Sequence, residues 1–347
     1  MTKLHIHGGD IYRYPHAIDF SSNCNPYGTP ERVKQAVAEA AGFICHYPDV
    51  QCRKLREALA EEEGVPASGI ICGNGAADLI FGLALARKPR RALLLAPAFA
   101  EYEQALRAVG CEIAYCYLKE EQGFVPQESL PDKITGDVDM VFFCNPNNPT
   151  GVLTEVEFLR KLADKCRESN ALFVVDECFV DFVREPERHT LKPWLDVYDN
   201  LFVLKAFTKK YAMPGIRLGY GLCSNGELLA QMRAVMQPWN VSVAAQAAGI
   251  AALKEKEYVR VTMEKIAGER EYLLEKLKET GVSVYGSSAN YIFFKANKGL
   301  WKDCMDRGIS IRDCGNYEGL GEGFYRIAVR TREENEKLLK TLHEIME

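Results

Sequence analysis

Lys209, Arg217, Asp176 and Asn148 stand in short stretches whose residue types make sense together only around a reactive centre. An apolar run, Leu201 to Leu204, reads as a buried strand that delivers Thr208, Lys209 and Lys210 into a segment broken by Pro214 and Gly215. A lysine at such a rim, beside other cations and partly buried, can have its pKa lowered toward what an imine-forming amine needs. Arg217 follows Lys209 by eight residues. It can return to the same place and hold a phosphate bidentately with its planar fork. Upstream, the run LFVVD ends on Asp176, and a carboxylate that ends a buried strand is costly unless a cation meets it. Asn145-Pro146-Asn147-Asn148-Pro149-Thr150-Gly151 closes the strand before that one. Further back, Ile70 to Cys72 meets Gly73-Asn74-Gly75-Ala76-Ala77 and then a helical pattern, a turn that points free backbone N–H groups at an anion. Each stretch alone has an ordinary reading as solvated charge, paired core acid or tight turn. Together they describe an amine nucleophile, an anion clamp and a carboxylate that needs a cation.

The elements that must position these residues follow from the apolar pattern. Strands are predicted at Arg91 to Ala96, Glu112 to Tyr117, Met140 to Cys144, Leu172 to Asp176 and Leu201 to Lys205, with helical spacing between several of them. Thr154-x-x-Glu157 reads as a capping box for the helix carrying Val156, Leu159, Ala163 and Cys166 on one face. Interleaved strands and helices indicate an α/β domain with a mostly parallel sheet and active residues at strand ends. Beyond Trp239 the texture changes to helices over Val243 to Glu279, then short strands near Val282, Tyr291, Ile309 and Tyr325, and a last helix from a Thr331-x-x-Glu334 box. That is an α+β unit. The expected organisation is a polar, turn-rich arm over residues 1–30 that lies outside the core, a large domain over 31–240 and a smaller C-terminal domain over 241–347.

Composition narrows the class. Of 347 residues, 47% are hydrophobic and 26% charged, which is ordinary for a soluble globular protein, and the net charge of -5 argues against general nucleic-acid binding. The apolar runs are too short for a membrane span and the N-terminus lacks a signal-peptide core, so a cytoplasmic location is expected. Twelve cysteines are scattered without a C-x-x-C pair, and the histidines show no ligand spacing, so reduced core thiols and no metal are expected.

In order and spacing, N-N-P-T-G, D-E-x-F, T-K and an arginine eight residues after the lysine resemble the fold-type I pyridoxal-phosphate enzymes of the class I/II aminotransferase superfamily, over nearly the whole chain. The resemblance implies pyridoxal 5'-phosphate as cofactor, with Lys209 forming its Schiff base and then shuttling protons. Asp176 would pair with the pyridine nitrogen and Asn148 would bond the ring hydroxyl. Gly75, Ala76, Ala77, Thr208 and Arg217 would hold the cofactor phosphate, and Phe99 would stack on the ring. Tyr47, in a Y-P-D turn, would reach the phosphate of a neighbouring subunit, which implies a homodimer with shared sites. Two positions depart from the pattern: Ala206 replaces a Ser or Thr, and Phe179 replaces a Tyr that would bond the ring hydroxyl.

Within the superfamily the chain most resembles the branch of histidinol-phosphate aminotransferases and threonine-phosphate decarboxylases. His7-Gly8-Gly9, the D-F-S-x-N-x-N-P run from Asp19 to Pro26, Phe179 and Ile311-Arg312-Asp313-Cys314 favour the decarboxylases, which make aminopropanol phosphate for cobalamin. By that analogy Arg326 binds the principal anion of a small phosphorylated amino acid, with Arg312, His7 and Asn23 around its phosphate. Histidinol-phosphate-type or other transamination is the alternative. A non-catalytic regulator would lack the lysine or carry a DNA-binding extension. A dinucleotide-binding dehydrogenase would need a third glycine where Asp78 stands.

Overall fold

The computed structural model describes residues 7–346. A two-residue strand β1 (Ile18–Asp19) precedes a seven-stranded sheet made from β2 (Ile70–Gly73), β3 (Arg91–Ala96), β4 (Glu112–Tyr117), β5 (Met140–Cys144), β6 (Leu172–Asp176), β7 (Leu201–Ala206) and β8 (Gly219–Leu222). Its spatial order is β2-β8-β7-β6-β5-β3-β4. All pairings are parallel except those of β8, which runs antiparallel to both β7 and β2. The central strands are continuous apolar runs because both faces are covered: Leu201 and Val203 pack on one side, Phe202 and Leu204 on the other. The expected α/β class with a mostly parallel sheet is the one observed.

β8 has no counterpart among the predicted strands. Its sequence, GYGL, is half glycine and reads as loop. The glycines are there because of what lies against them. A Cβ on Gly221 would sit 2.0 Å from Cζ of Phe202, and one on Gly219 would sit 2.5 Å from the backbone nitrogen of Ala76. Gly219 thereby lets the turn at Gly75–Ala76 press directly on the sheet.

The C-terminal part forms a second, antiparallel sheet from β9 (Ser283–Val284), β10 (Tyr291–Lys295), β12 (Arg312–Asp313) and β13 (Phe324–Ala328), in the order β12-β13-β10-β9, with β11 (Ile309–Ser310) beside it in sequence. Helices Lys256–Leu277 and Arg332–Met346 cover it. The Thr331 box forms on its Glu334 side, where the carboxylate accepts from the Thr331 hydroxyl at 2.8 Å and backbone N–H at 3.3 Å.

Two sequence expectations are corrected. The helix Val156–Glu168 is capped by Glu155 without a side-chain bond, and no box forms at Thr154. The Thr154 N–H instead donates to Asn145 Oδ1 at 2.8 Å, and its carbonyl accepts from Asn145 Nδ2, so the residue is spent on holding the N-N-P-T-G turn. The N-terminal stretch, read as lying outside the core, contributes to it: β1 pairs in parallel with β11, and Phe20 is fully buried among Tyr291, Ile311 and Ile327.

Gly221→Ala should lower stability by about 1–3 kcal/mol, the usual range for overpacking a filled core. A thermal melt of the variant is expected to show a reduced Tm. An unchanged Tm would mean that the β7–β8 contact has slack that the geometry does not show.

Candidate active site

The parallel strands bring their C-terminal ends to one rim, and a cavity of about 550 Å³ opens there. Asn148, Asp176 and Lys209 enter it from the ends of β5, β6 and β7, while Arg312 and Arg326 enter from the second sheet. Asp176 is buried. Tyr102 Oη donates to its Oδ2 at 2.5 Å and the Cys178 N–H to its Oδ1 at 2.9 Å. Burial pushes the Asp176 carboxyl above its usual pKa, against the lowering effects of the Cys178 side chain, the Tyr102 hydroxyl and the Cys178 N–H; none of these is a cation. The carboxylate therefore has partners but no countercharge from them.

The adjacent lysines are sorted by helix geometry. Phe207–Lys210 is one helical turn, so Lys209 and Lys210 diverge by about 100° around its axis. Lys210 turns to Asp181, Nζ to Oδ1 2.9 Å. Burial works against its charge, but Asp181 more than compensates and its pKa is raised, while Asp181 is held down at about 2. Lys209 lines the cavity, with Nζ 3.9 Å from Cys24 Sγ.

The proposed phosphate cradle is assembled at the start of helix Ala76–Arg87. Ala76, Ala77, Thr208 and Arg217 line the cavity, and Arg217 lies so close to Gly75 that a Cβ there would meet Nη2 at 2.4 Å. Gly75 also has φ +83, which favours glycine. Gly75 itself is not among the residues that line the cavity. Ala206, at one departure from the family pattern, lines the cavity without a hydroxyl, and Phe179 packs edge-on against Tyr291. Phe99 lines the cavity and meets Tyr102 at 5.6 Å, edge to face.

On the other side, Arg326 Nη1 donates to Asn148 Oδ1 and Nη2 to the Ser21 carbonyl at 2.8 Å. Its Nε, and Nδ2 of Asn23, are buried donors that find no acceptor among the described residues. Arg312 donates to Asn316 Oδ1 at 2.8 Å and lies over the Tyr317 ring. His7 lines the same space, Nδ1 3.5 Å from Glu101 Oε1. Tyr47 is apart from this group: it is 79% exposed and stacks on Trp239 at 4.5 Å.

Two cavity residues escaped the sequence reading. Tyr102 stands 74 positions from the carboxylate it contacts, so no local pattern announces it. Glu101, in the first turn of helix Ala100–Ala108, looks like an ordinary helix-start acid but is mostly buried. Burial raises its pKa to about 7, against the lowering effects of a backbone hydrogen bond and of Arg312 and Lys209. Among the described residues no group of three or more His, Cys, Asp or Glu could hold a metal ion, and no helix is long and apolar enough to cross a membrane.

Lys209→Ala should abolish borohydride fixation of a carbonyl cofactor, whereas Lys210→Ala should keep it and lose about 3 kcal/mol of stability, because Asp181 is left buried without its cation. Mass spectrometry of the reduced protein and a melt separate the two; label retained in Lys209→Ala would move the nucleophile to another lysine. Tyr102→Phe removes a hydrogen bond to a charged group, worth about 1.5–3 kcal/mol, so cofactor affinity should fall roughly tenfold or more by equilibrium dialysis. Unchanged affinity would show that the Tyr102 hydroxyl does not support the carboxylate in the loaded protein.

Comparison with known proteins places this arrangement. The family model for aminotransferase class I and II matches residues 15–342. A threonine-phosphate decarboxylase of Salmonella typhimurium is 38% identical over 333 residues, 95% of this chain and 91% of that protein. The crystal structure of the histidinol-phosphate aminotransferase from Clostridium acetobutylicum superposes with a TM-score of 0.88 at 31% identity, covering 94% of this chain and 98% of that one. At 22% identity, the histidinol-phosphate aminotransferase of Sinorhizobium meliloti, solved in complex with pyridoxal-5'-phosphate, shares the fold with a TM-score of 0.87 over 99% of this chain and 95% of that one. With its matched length, its sheet order and its lysine, aspartate and asparagine at three successive strand ends, the chain belongs to the class I and II aminotransferase family of pyridoxal-phosphate enzymes.

Proposed function

We propose that this chain is a decarboxylase of a small phosphorylated amino acid, with L-threonine O-3-phosphate as substrate and pyridoxal phosphate as cofactor. The observation that carries the substrate class is the anion-binding wall: Arg312, Arg326 and Asn23 line one cavity with Lys209 and Asp176, and two of their buried donors, Arg326 Nε and Asn23 Nδ2, lack acceptors. Buried donors without acceptors cost about 1–3 kcal/mol each, so the wall favours a ligand rich in anionic oxygen. A substrate with one carboxylate would leave part of it unsatisfied.

The residues fit the cofactor. Asp176 offers a buried carboxylate whose hydrogen-bond donors are neutral, and Ala76, Ala77, Thr208 and Arg217 line the cavity at a helix N-terminus that Gly75 and Gly219 let pack closely against Arg217 and the sheet. When bound, the cofactor supplies an electron sink and a cationic ring nitrogen. Asp176 would hold the proton on that nitrogen by its charge, with Tyr102 fixing the carboxylate's orientation. Asn148 would bond the ring hydroxyl; its Oδ1 is taken by Arg326, which leaves its Nδ2 to donate. In the decarboxylation the substrate Cα–H would be kept, and Lys209 Nζ would deliver the proton that replaces the departing carbon dioxide at Cα. Arg326 receives the principal anion, and Arg312, Asn23 and His7 surround the phosphate. Phe99, which lines the cavity, would cover the ring face and exclude water.

Histidinol phosphate would bring this wall a phosphate but no carboxylate; the likeness to a histidinol-phosphate aminotransferase at 31% identity keeps transamination as a second reading. The site is completed by a second copy of the chain: Tyr47, Ile44 and Phe43 are 79%, 75% and 61% exposed on the stretch that would carry Tyr47 to the partner's cofactor phosphate. Twelve free thiols suit the reducing cytoplasm.

Incubation with threonine phosphate is expected to release carbon dioxide and aminopropanol phosphate without consuming a keto acid. Glutamate formed from histidinol phosphate and 2-oxoglutarate, with no carbon dioxide from threonine phosphate, would overturn the decarboxylase in favour of the transaminase. Analytical ultracentrifugation should find a dimer, and mixing Tyr47→Phe with Lys209→Ala subunits should restore part of the Lys209-dependent activity. A fully active monomer would refute the shared site.

A further inference from the structure

Glu101 is out of place. It projects an acid into a cavity whose other wall is built to hold anions. Its side chain is only 13% exposed, its Oε1 lies 3.5 Å from His7 Nδ1, and its Oε2 is buried without a hydrogen-bond partner. The charged groups around it come from every side: His7 from the N-terminal stretch, Arg312 from the second sheet, Lys209 from the turn after β7 and Asp176 from the end of β6. Glu103 and Glu318 line the same cavity. As a carboxylate, Glu101 would compete with the substrate for His7 and Arg312 and repel its anion. As a neutral acid it has a proton to give and, on Oε2, no acceptor among the described residues to give it to.

We propose that Glu101 determines specificity at this site by donating a hydrogen bond, as the neutral acid, to the second anion of the substrate, so that binding the anion takes up one proton. The proposal rests on the reading of the substrate as a phosphorylated amino acid and adds a linkage that neither arginine can provide, since a guanidinium does not titrate in this range. Its physical basis is the pairing of an orphaned acid oxygen with an anion-binding wall. The raised pKa of Glu101, near 7, puts the linkage in the physiological range.

The sign follows from linkage. An anion that binds the neutral form stabilises it, so the pKa rises further on binding, a proton is taken up around and above pH 7, and affinity falls as pH rises through that window. One linked proton limits the slope to about tenfold in Kd per pH unit. A phosphate monoester and an unperturbed histidine titrate lower, near 6 and 6.5 respectively, so measurement between about pH 7.5 and 8.5 favours the Glu101 contribution. Glu101→Gln keeps the shape and presents an amide donor at every pH.

The test uses holoenzyme and isopropyl phosphate, an ester with the substrate's phosphate on a secondary carbon but no amine to react. Isothermal titration in buffers of different ionisation enthalpy counts protons taken up on binding, for wild type, Glu101→Gln and His7→Gln. Wild type should take up close to one proton at pH 8 and His7→Gln should retain that uptake. Glu101→Gln should take up almost none and bind about tenfold more tightly than wild type at pH 8.5. Equal uptake in wild type and Glu101→Gln, or loss of uptake in His7→Gln alone, overturns the assignment while leaving the phosphate reading intact. If none of the three proteins binds the ester, the phosphate reading fails and the Glu101 assignment falls with it.

Discussion

The structure depends on one buried carboxylate that the chain does not neutralise by contact. Asp176 ends a fully buried strand and is met by a phenol and a backbone N–H, both neutral. Taking an ion out of water costs several kcal/mol even after local relaxation. Elsewhere this chain answers that cost with its own cations. Behind β7, Glu63 receives Lys192 at 2.9 Å and Lys205 at 3.5 Å, and Asp181 receives Lys210 at 2.9 Å. Burial also raises the pKa of Glu177, to about 6, but it accepts from Thr190 and the Leu191 N–H, and Lys205 offsets part of the rise. At the cavity floor neither donor to Asp176 is a cation, and on the proposed function a ligand supplies it. That contrast is what supports the proposed role of Asp176 toward a cationic ligand.

Much of the site was legible because parallel α/β architecture puts chemistry at strand ends. Asn148, Asp176 and Lys209 each follow an apolar run, and the runs at β3, β4, β5 and β6 have the bounds expected from pattern alone. What was not legible depends on distant contacts. β8 is hidden because close packing against Phe202 and Ala76 demands glycine, which carries no strand signal. Thr154 resembles a cap, but the Asn145 side chain claims its backbone. Glu101 and Tyr102 look like any acid and aromatic on a helix until the fold sets them over Asp176 and opposite Arg312.

The N-terminal stretch shows how the two sheets are joined into one cavity. Phe20 is buried in the C-terminal core, Asn290 Nδ2 donates to the Asn23 carbonyl at 2.7 Å, and the Asn25 side chain donates to the Lys210 carbonyl at 3.1 Å and to Thr262 at 2.9 Å. The segment thus spans from the second sheet to the lysine turn. Arg326 is held in the same way, between Asn148 of the first sheet and the Ser21 carbonyl of this segment. Arg326 and Asn148 are therefore coupled through a few hydrogen bonds, and under the proposed function a substrate anion at Arg326 would act on Asn148.

The central claim is that Asp176 exists to keep a proton on the cofactor's ring nitrogen. Nitrogen-15 NMR of holoenzyme reconstituted with ring-labelled pyridoxal phosphate reads that proton directly, in wild type and in Asp176→Asn. The account predicts a protonated nitrogen throughout the neutral pH range in wild type and an unprotonated one in the variant. An unprotonated nitrogen in wild type, or the same protonated signal in both proteins, would contradict it.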